Sequence, residues 1–348
     1  MMPTSLKVAP AAIVALQLIS AATANELVFP PLDSPKLHFG TGKIINRRPE
    51  IASTIPAIPG KTSEWTLLQW RKTEYMAPAE LVVHDIRQSD KFYGAPQFSW
   101  RSTSGESALN IYSGKENLVY QLVSRDGYVD RNGASDVILS AEASVPDLTA
   151  DHPLTLSADI RVARAKIRYD SRTAQESGDV LAQSGFMLRT RFSDPATRKM
   201  YSVMLGLPTV TSRDNRPDHR GCHFFGENRV PQLVSNSLPT GSDILPFIEN
   251  ISGPKRLIYN VNEAICRFIS QEVPCRGEDG SRQVMSWPES ARDLKNWRVD
   301  SMSFGVETQN HHADRGDTAQ GTVEIGVDIS NLQFTRSNSL WNGGYCPK

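Results

Sequence analysis

Apolar and polar positions alternate along much of this chain with a period of two. In 154–162, Leu154, Leu156, Ala158, Ile160 and Val162 fall on one face, with Thr155, Ser157, Asp159 and Arg161 on the other. In 186–192, Phe186, Leu188, Thr190 and Phe192 oppose Met187, Arg189 and Arg191 in the same way. A strand with one face in a core requires this alternation. Similar short segments rich in β-branched and aromatic residues recur at 65–70, 97–101, 118–123, 137–141, 201–207, 255–261, 299–309 and 322–334, separated by Gly, Asp, Asn and Pro. The Asp194-Pro195 link predicts that 201–207 returns antiparallel to 186–192. Helical signals are confined to 261–269 and to 288–297, where Pro288 suits a first helical position. The pattern predicts an all-β fold, an antiparallel β-sandwich or jelly roll with a few short helices.

The N-terminal residues carry an address. Lys7 precedes an almost wholly apolar run from Val8 to Ala22, and Ala22-Thr23-Ala24 has the small-x-small form of a signal-peptidase site. Residues 1–24 therefore read as a signal peptide cleaved near Ala24, placing the protein outside the cytoplasm, secreted or periplasmic. With no stop-transfer run downstream, no transmembrane anchor is expected. Residues 25–62, punctuated by Pro30, Pro31, Pro35, Pro49, Pro56 and Pro59, read as an extended Pro-rich leader lying on the domain. The sandwich is expected over 63–336, with an irregular insertion at 208–254 and a tail at 337–348.

Charge narrows the partners. Lys plus Arg and Asp plus Glu each number 38, and loss of Lys7 with the leader leaves 37 against 38. That balance gives no reason to expect nucleic acid as a partner. The four cysteines, an even number in an exported chain, read as disulfides. Cys266 with Cys275, close in sequence, and Cys222 with Cys346 is the favoured pairing.

The polar faces of the last two segments offer candidate chemistry. If 299–309 and 322–329 pair as neighbours with Val306 opposite Ile325, then Phe304 faces Val327 and Met302 faces Ile329. Glu307 then lies opposite Glu324, Gln309 opposite Thr322 and Ser303 opposite Asp328. Directly opposed carboxylates need a cation, an arginine or a shared proton. Opposed Cβ atoms sit roughly 4.5 to 5.5 Å apart, near the spacing of the carboxyl pair in retaining glycosidases, so Glu307 and Glu324 are candidates for an acid/base pair. Arg161, Arg189 and Arg191 occupy polar faces and are candidates either to neutralise those acids or to clamp a uronate carboxylate by bidentate hydrogen bonds. Trp70 and Trp100, beside Arg71 and Arg101, offer flat surfaces for a sugar ring. The groups His219, Cys222, His223 and His311, His312, Asp314, Asp317 match no familiar zinc spacing, and Ile55 stands where a phosphate loop ending at Gly60-Lys61-Thr62 needs its first glycine. No metal or cofactor is expected.

The segments LKNWRVDSMSFGVETQN (294–310) and GTVEIGVDISNLQFTR (321–336) resemble the closing strands of concanavalin A-like jelly rolls. These occur in carbohydrate-binding modules, glycoside hydrolases and polysaccharide lyases. The resemblance implies a glycan on the concave face, with Glu307, Gln309, Glu324 and Asp328 on or near a cleft. The lyases' Arg, Gln-x-His and Tyr motifs are not intact, nor is the clustered E-x-D-x-x-E of one glucanase group. Together these features lead to an exported sandwich that binds a polysaccharide or glycoconjugate. The alternatives are a glycan-degrading enzyme on the same fold and a structural or adhesive envelope protein.

Overall fold

The computed structural model describes residues 26–27, 38–45, 48–54, 66–70, 77–78, 92–94, 96, 98–101, 107–113, 118–125, 134–142, 153–172, 175, 180–212, 221–225, 230–234, 244–250, 252–270, 274–276, 282–284, 286–310, 321–336 and 345–346. The signal peptide expected at 1–24 and its expected cleavage site lie outside them. The chain begins with β1 (Glu26–Leu27), β2 (His38–Ile45), β3 (Arg48–Thr54), β4 (Thr66–Trp70) and β5 (Ala77–Pro78). β6 (Phe98–Arg101), β7 (Ser107–Ser113), β8 (Leu118–Arg125) and β9 (Ala134–Glu142) follow. Three long strands come next: β10 (Leu154–Tyr169), β11 (Val180–Ser193) and β12 (Met200–Thr211). After them lie β13 (Gly221–Phe225), β14 (Val230–Val234), β15 (Leu245–Pro246), β16 (Lys255–Asn260) and helix α1 (Val261–Ser270). β17 (Pro274–Arg276), β18 (Arg282–Val284), two 3-10 turns at Glu289–Arg292 and Leu294–Asn296, β19 (Trp297–Asn310) and β20 (Gly321–Arg336) complete the order.

These strands form two sheets. The smaller runs β16-β10-β20-β8-β7-β6-β5 with β1 against β20, and the larger runs β18-β17-β13-β14-β12-β11-β19-β9-β4-β2-β3 with β15 against β12. From β8 to β9, β9 to β10, β10 to β11 and β19 to β20 the chain changes sheet. This winding between two layers is that of a jelly-roll sandwich. Among the described residues no helix is long and apolar enough to cross a membrane.

Period two decides which residues enter the core. Leu156, Ile160, Ile325, Val327 and Ile329 of the smaller sheet meet Phe186, Leu188, Met302, Phe304 and Val306 of the larger, all essentially inaccessible. Each such side chain contributes about 1.5 to 3 kcal/mol on burial. The hairpin of β11 and β12 is antiparallel as expected, with Leu188 opposite Leu205 and Phe192 opposite Tyr201. Asp194 fixes its turn by accepting hydrogen bonds from Thr197 Oγ1 (2.6 Å) and Ser290 Oγ (2.9 Å). At that end Phe192, Tyr201, Phe268, Trp287 and Trp297 form one aromatic cluster beneath α1. Trp297 also donates to the Ala291 carbonyl at 2.7 Å.

Two expectations are overturned here. The disulfide joins Cys266 to Cys346, not Cys266 to Cys275 or Cys222 to Cys346. Cys266 lies on the buried side of α1, and the Asp293–Tyr345 bridge with the Cys346 N–H bond to the Arg292 carbonyl brings the tail beside it. Cys275 is carried instead to β17, next to the edge strand of the larger sheet, where it is the register partner of Cys222 across the parallel pair β13 and β17. The second correction concerns β19 and β20, which belong to opposite sheets and are not neighbours in one. Their apolar faces do meet, but across the core rather than side by side. Their polar faces therefore point in opposite directions, and Glu307 does not face Glu324.

Two segments also hold more regular structure than their composition implied. β2 and β3 fall within 25–62 and join the larger sheet through the parallel pair β2 and β4. β13, β14 and β15 fall within 208–254 and extend that same sheet beyond β12.

Candidate functional site

The outward face of the larger sheet is built from the alternate residues that the core leaves over. Across five strands, register sets Trp70, Asp136, Glu307, Gln183 and Thr211 in one row. The next row is Leu68, Ile138, Gly305, Gly185 and Pro208, and the third is Thr66, Ser140, Ser303, Met187 and Gly206. The carboxyl-bearing positions Asp136 and Glu307 thus fall in one end row, and glycines hollow the middle.

The hollow has a steric cause. A β-bulge at Thr209 shifts β12 relative to β11 between Ser184 and Gly185, and bulges bend the strand that carries them. A Cβ on Gly185 would lie 2.8 Å from the Leu207 carbonyl oxygen, and one on Gly305 would lie 2.9 Å from Ile138 Cγ1. Both positions are restricted to glycine by close approach of the neighbouring strand. The result is a trough of about 160 Å³ floored by Gly185, Gly206 and Gly305 and walled by Ile138, Met187 and Pro208. That is smaller than the roughly 300 to 1,000 Å³ of pockets that enclose drug-sized ligands.

Glu307 stands at the polar end of the trough. Its Oε2 accepts from Gln183 Nε2 at 2.5 Å, and its Oε1 accepts from Gln309 Nε2. The two amides fix the carboxylate and leave it half-buried rather than covered. Each amide group also has an oxygen acceptor and a second N–H, so the three groups together present both donors and acceptors. Farther along the same face Arg189 is exposed and has no ion pair among the described residues. Arg191 is held by Asp300 at 2.7 Å, which also takes Arg298 at 3.0 Å.

The structure therefore divides the residues expected from sequence between two faces. Glu307, Gln309, Arg189, Arg191 and, by register, Trp70 share the larger sheet. Arg161, Asp328, Glu324 and Trp100 lie on the smaller one. Trp100 pairs in register with Leu109 and Pro78; the side chains of both tryptophans lie outside those described. Arg161 and Asp328 end a ladder of directly opposed residues through Gln121, Asn110 and Ser99 on five adjacent strands. Arg161 Nε reaches Asp328 Oδ2 at 2.6 Å, Gln121 reaches Asp328 Oδ1 at 2.9 Å, and the rings of Phe92 and Tyr93 lie over the guanidinium. With side chains 4% and 2% exposed, Arg161 and Asp328 serve the ladder rather than an open surface. Glu324 is bound by Arg125 and Arg164.

Gln183, Asp136 and the three glycines are the site residues that sequence reasoning missed. Their signal was glycine inside strand patterns, at Gln183-Ser184-Gly185-Phe186 and Ser303-Phe304-Gly305-Val306, which marks a bulge or a close approach.

No protein-family model and no curated protein sequence matches the chain. Among solved structures, it is similar to the family 11 xylanase from Neocallimastix patriciarum, with 8% identity, 69% of this chain and 90% of that one covered, and a TM-score of 0.32. For the family GH12 endoglucanase 3 of Trichoderma harzianum the values are 11%, 68%, 90% and 0.33. For CtCBM11 they are 10%, 76%, 90% and 0.25.

Proposed function

We propose that the protein binds an extracellular polysaccharide or glycoconjugate along the trough of its larger sheet. The observation that carries this reading is the Glu307 carboxylate held between Gln183 and Gln309 beside a glycine floor. A flat, open, polar-ended groove fits a sugar chain, whose rings pack edge-on against backbone and whose hydroxyls need both donors and acceptors. A pull-down screen against neutral and acidic polysaccharides identifies the ligand, and Glu307→Ala or Gln183→Ala then weakens it. Loss of a charge-assisted bond at Glu307 costs about 1.5 to 3 kcal/mol, or more than tenfold in affinity. Unchanged affinity in both variants would move the site away from the trough.

A second reading, a glycan-cleaving enzyme, is favoured by one placement. Asp136 and Glu307 are register partners, so two carboxyl-bearing positions adjoin on the trough's face. Under this reading the wild type shortens the glycan it binds, and Glu307→Gln abolishes turnover while binding persists. Binding without any depolymerisation supports the first reading alone.

A further inference from the structure

The outward face of the smaller sheet carries a second charged feature. In the latter half of β10, Arg164, Lys166 and Arg168 alternate with Ala165, Ile167 and Tyr169, which pack on the core. Period two therefore sets three cations on the outer side of one strand. Register adds a fourth, because Glu324 lies opposite Lys166 on β10 and opposite Arg125 on β8.

Glu324 organises them. Its Oε1 accepts from Arg125 Nη2 at 2.7 Å and Arg164 Nη1 at 2.9 Å, while Lys166 Nζ lies 3.8 Å from Oε2. Gly326 opens the route for Arg164: a Cβ there would lie 3.0 Å from Arg164 Cγ, so the arginine stem crosses the strand where no side chain stands. The Glu324 side chain is only 8% exposed, whereas those of Lys166 and Arg168 are 70% and 71% exposed. The acid lies at the bottom and the cations at the rim. Asp170, 3.3 Å from Arg168, is the other carboxylate paired with the strip among the described residues. Among the described residues, these four cations against two carboxylates leave a formal +2 on one strip of a nearly neutral chain. Guanidinium groups already immobilised by a buried acid lose little freedom on meeting a second oxyanion.

We propose that this strip is a separate site for the oxyanions of an acidic polysaccharide, either uronate carboxylates or sulfate half-esters. The choice of a glycan over other polyanions rests on the function proposed above. The test is titration of the full chain at low ionic strength with a polyuronate, dextran sulfate, neutral dextran and single-stranded DNA. One or both acidic glycans bind, with affinity falling as salt is added, and the arm that binds identifies the oxyanion. The double variant Lys166→Glu, Arg168→Glu changes only exposed side chains and weakens that binding about tenfold or more. Lys166 and Arg168 lie on β10, in the sheet opposite the trough, so the double variant leaves binding of the polymer chosen for the trough by neutral-glycan titration unchanged, which separates failure of the strip from failure of the trough. Binding of neither acidic glycan, undiminished binding by the double variant, or tighter binding of DNA than of both glycans would overturn the proposal.

Discussion

Glu324 and Asp328 sit on the same side of one strand, yet their surroundings make them different acids. Asp328 is buried against Arg161 and Gln121. Asp328→Ala removes the carboxylate paired with a buried guanidinium, and urea denaturation should show a loss of about 3 to 5 kcal/mol. The paired change Arg161→Met, Asp328→Leu should recover most of it. Burial pushes the Glu324 carboxyl up, but the hydrogen bonds and charges of Arg125 and Arg164 outweigh that and hold it below its usual value. A carboxyl with a lowered folded pKa stabilises fully above its unfolded value, near 4.3, and loses that contribution as pH falls through the folded value. The stability difference between wild type and Glu324→Gln should therefore shrink from pH 7 towards pH 3. A difference that widens in acid would contradict the Arg125 and Arg164 assignment. At the trough floor, Gly185→Ala forces a methyl against the Leu207 carbonyl and should cost about 1 to 3 kcal/mol, read as a lowered denaturation midpoint.

Among the elements, those with clean alternation were legible before any coordinates. Leu154 to Val162 and Phe186 to Phe192 form β10 and β11 with the predicted faces inward, and the hairpin to β12 follows from its turn. Alternation could not say whether β19 and β20 bury their apolar faces side by side or face to face. Both arrangements satisfy Phe304 and Val327 equally, and only the second occurs, which separates Glu307 from Glu324. Prolines misled in the same way at 25–62: Pro49 lies in β3, on the edge of the larger sheet, where a strand tolerates a missing donor. Cysteine spacing was equally blind to the fold, since proximity in sequence favoured Cys275 for Cys266 while the sheet sets Cys275 against Cys222. Peptide mapping should recover Cys266 joined to Cys346 and Cys222 joined to Cys275. Removing the first bridge, whose cysteines are 80 residues apart, should lower stability by up to about 4 to 5 kcal/mol on the chain-entropy model.

At the scale of the whole molecule, one sandwich presents two unlike outer faces. The larger sheet offers a glycine-floored trough with a fixed carboxylate. The smaller carries a buried polar ladder and, at one end, a rim of cations. This division follows from the winding, because strands that alternate between layers send successive polar faces to opposite sides of the molecule. The position of the proposed glycan tests the account most directly. A crystal structure of the protein with an oligosaccharide cut from the polymer selected by the screen should place sugar rings against Gly185 and Gly305. It should also place a sugar hydroxyl within hydrogen-bonding distance of Glu307. An oligosaccharide bound on another surface, with the trough left open, would contradict it.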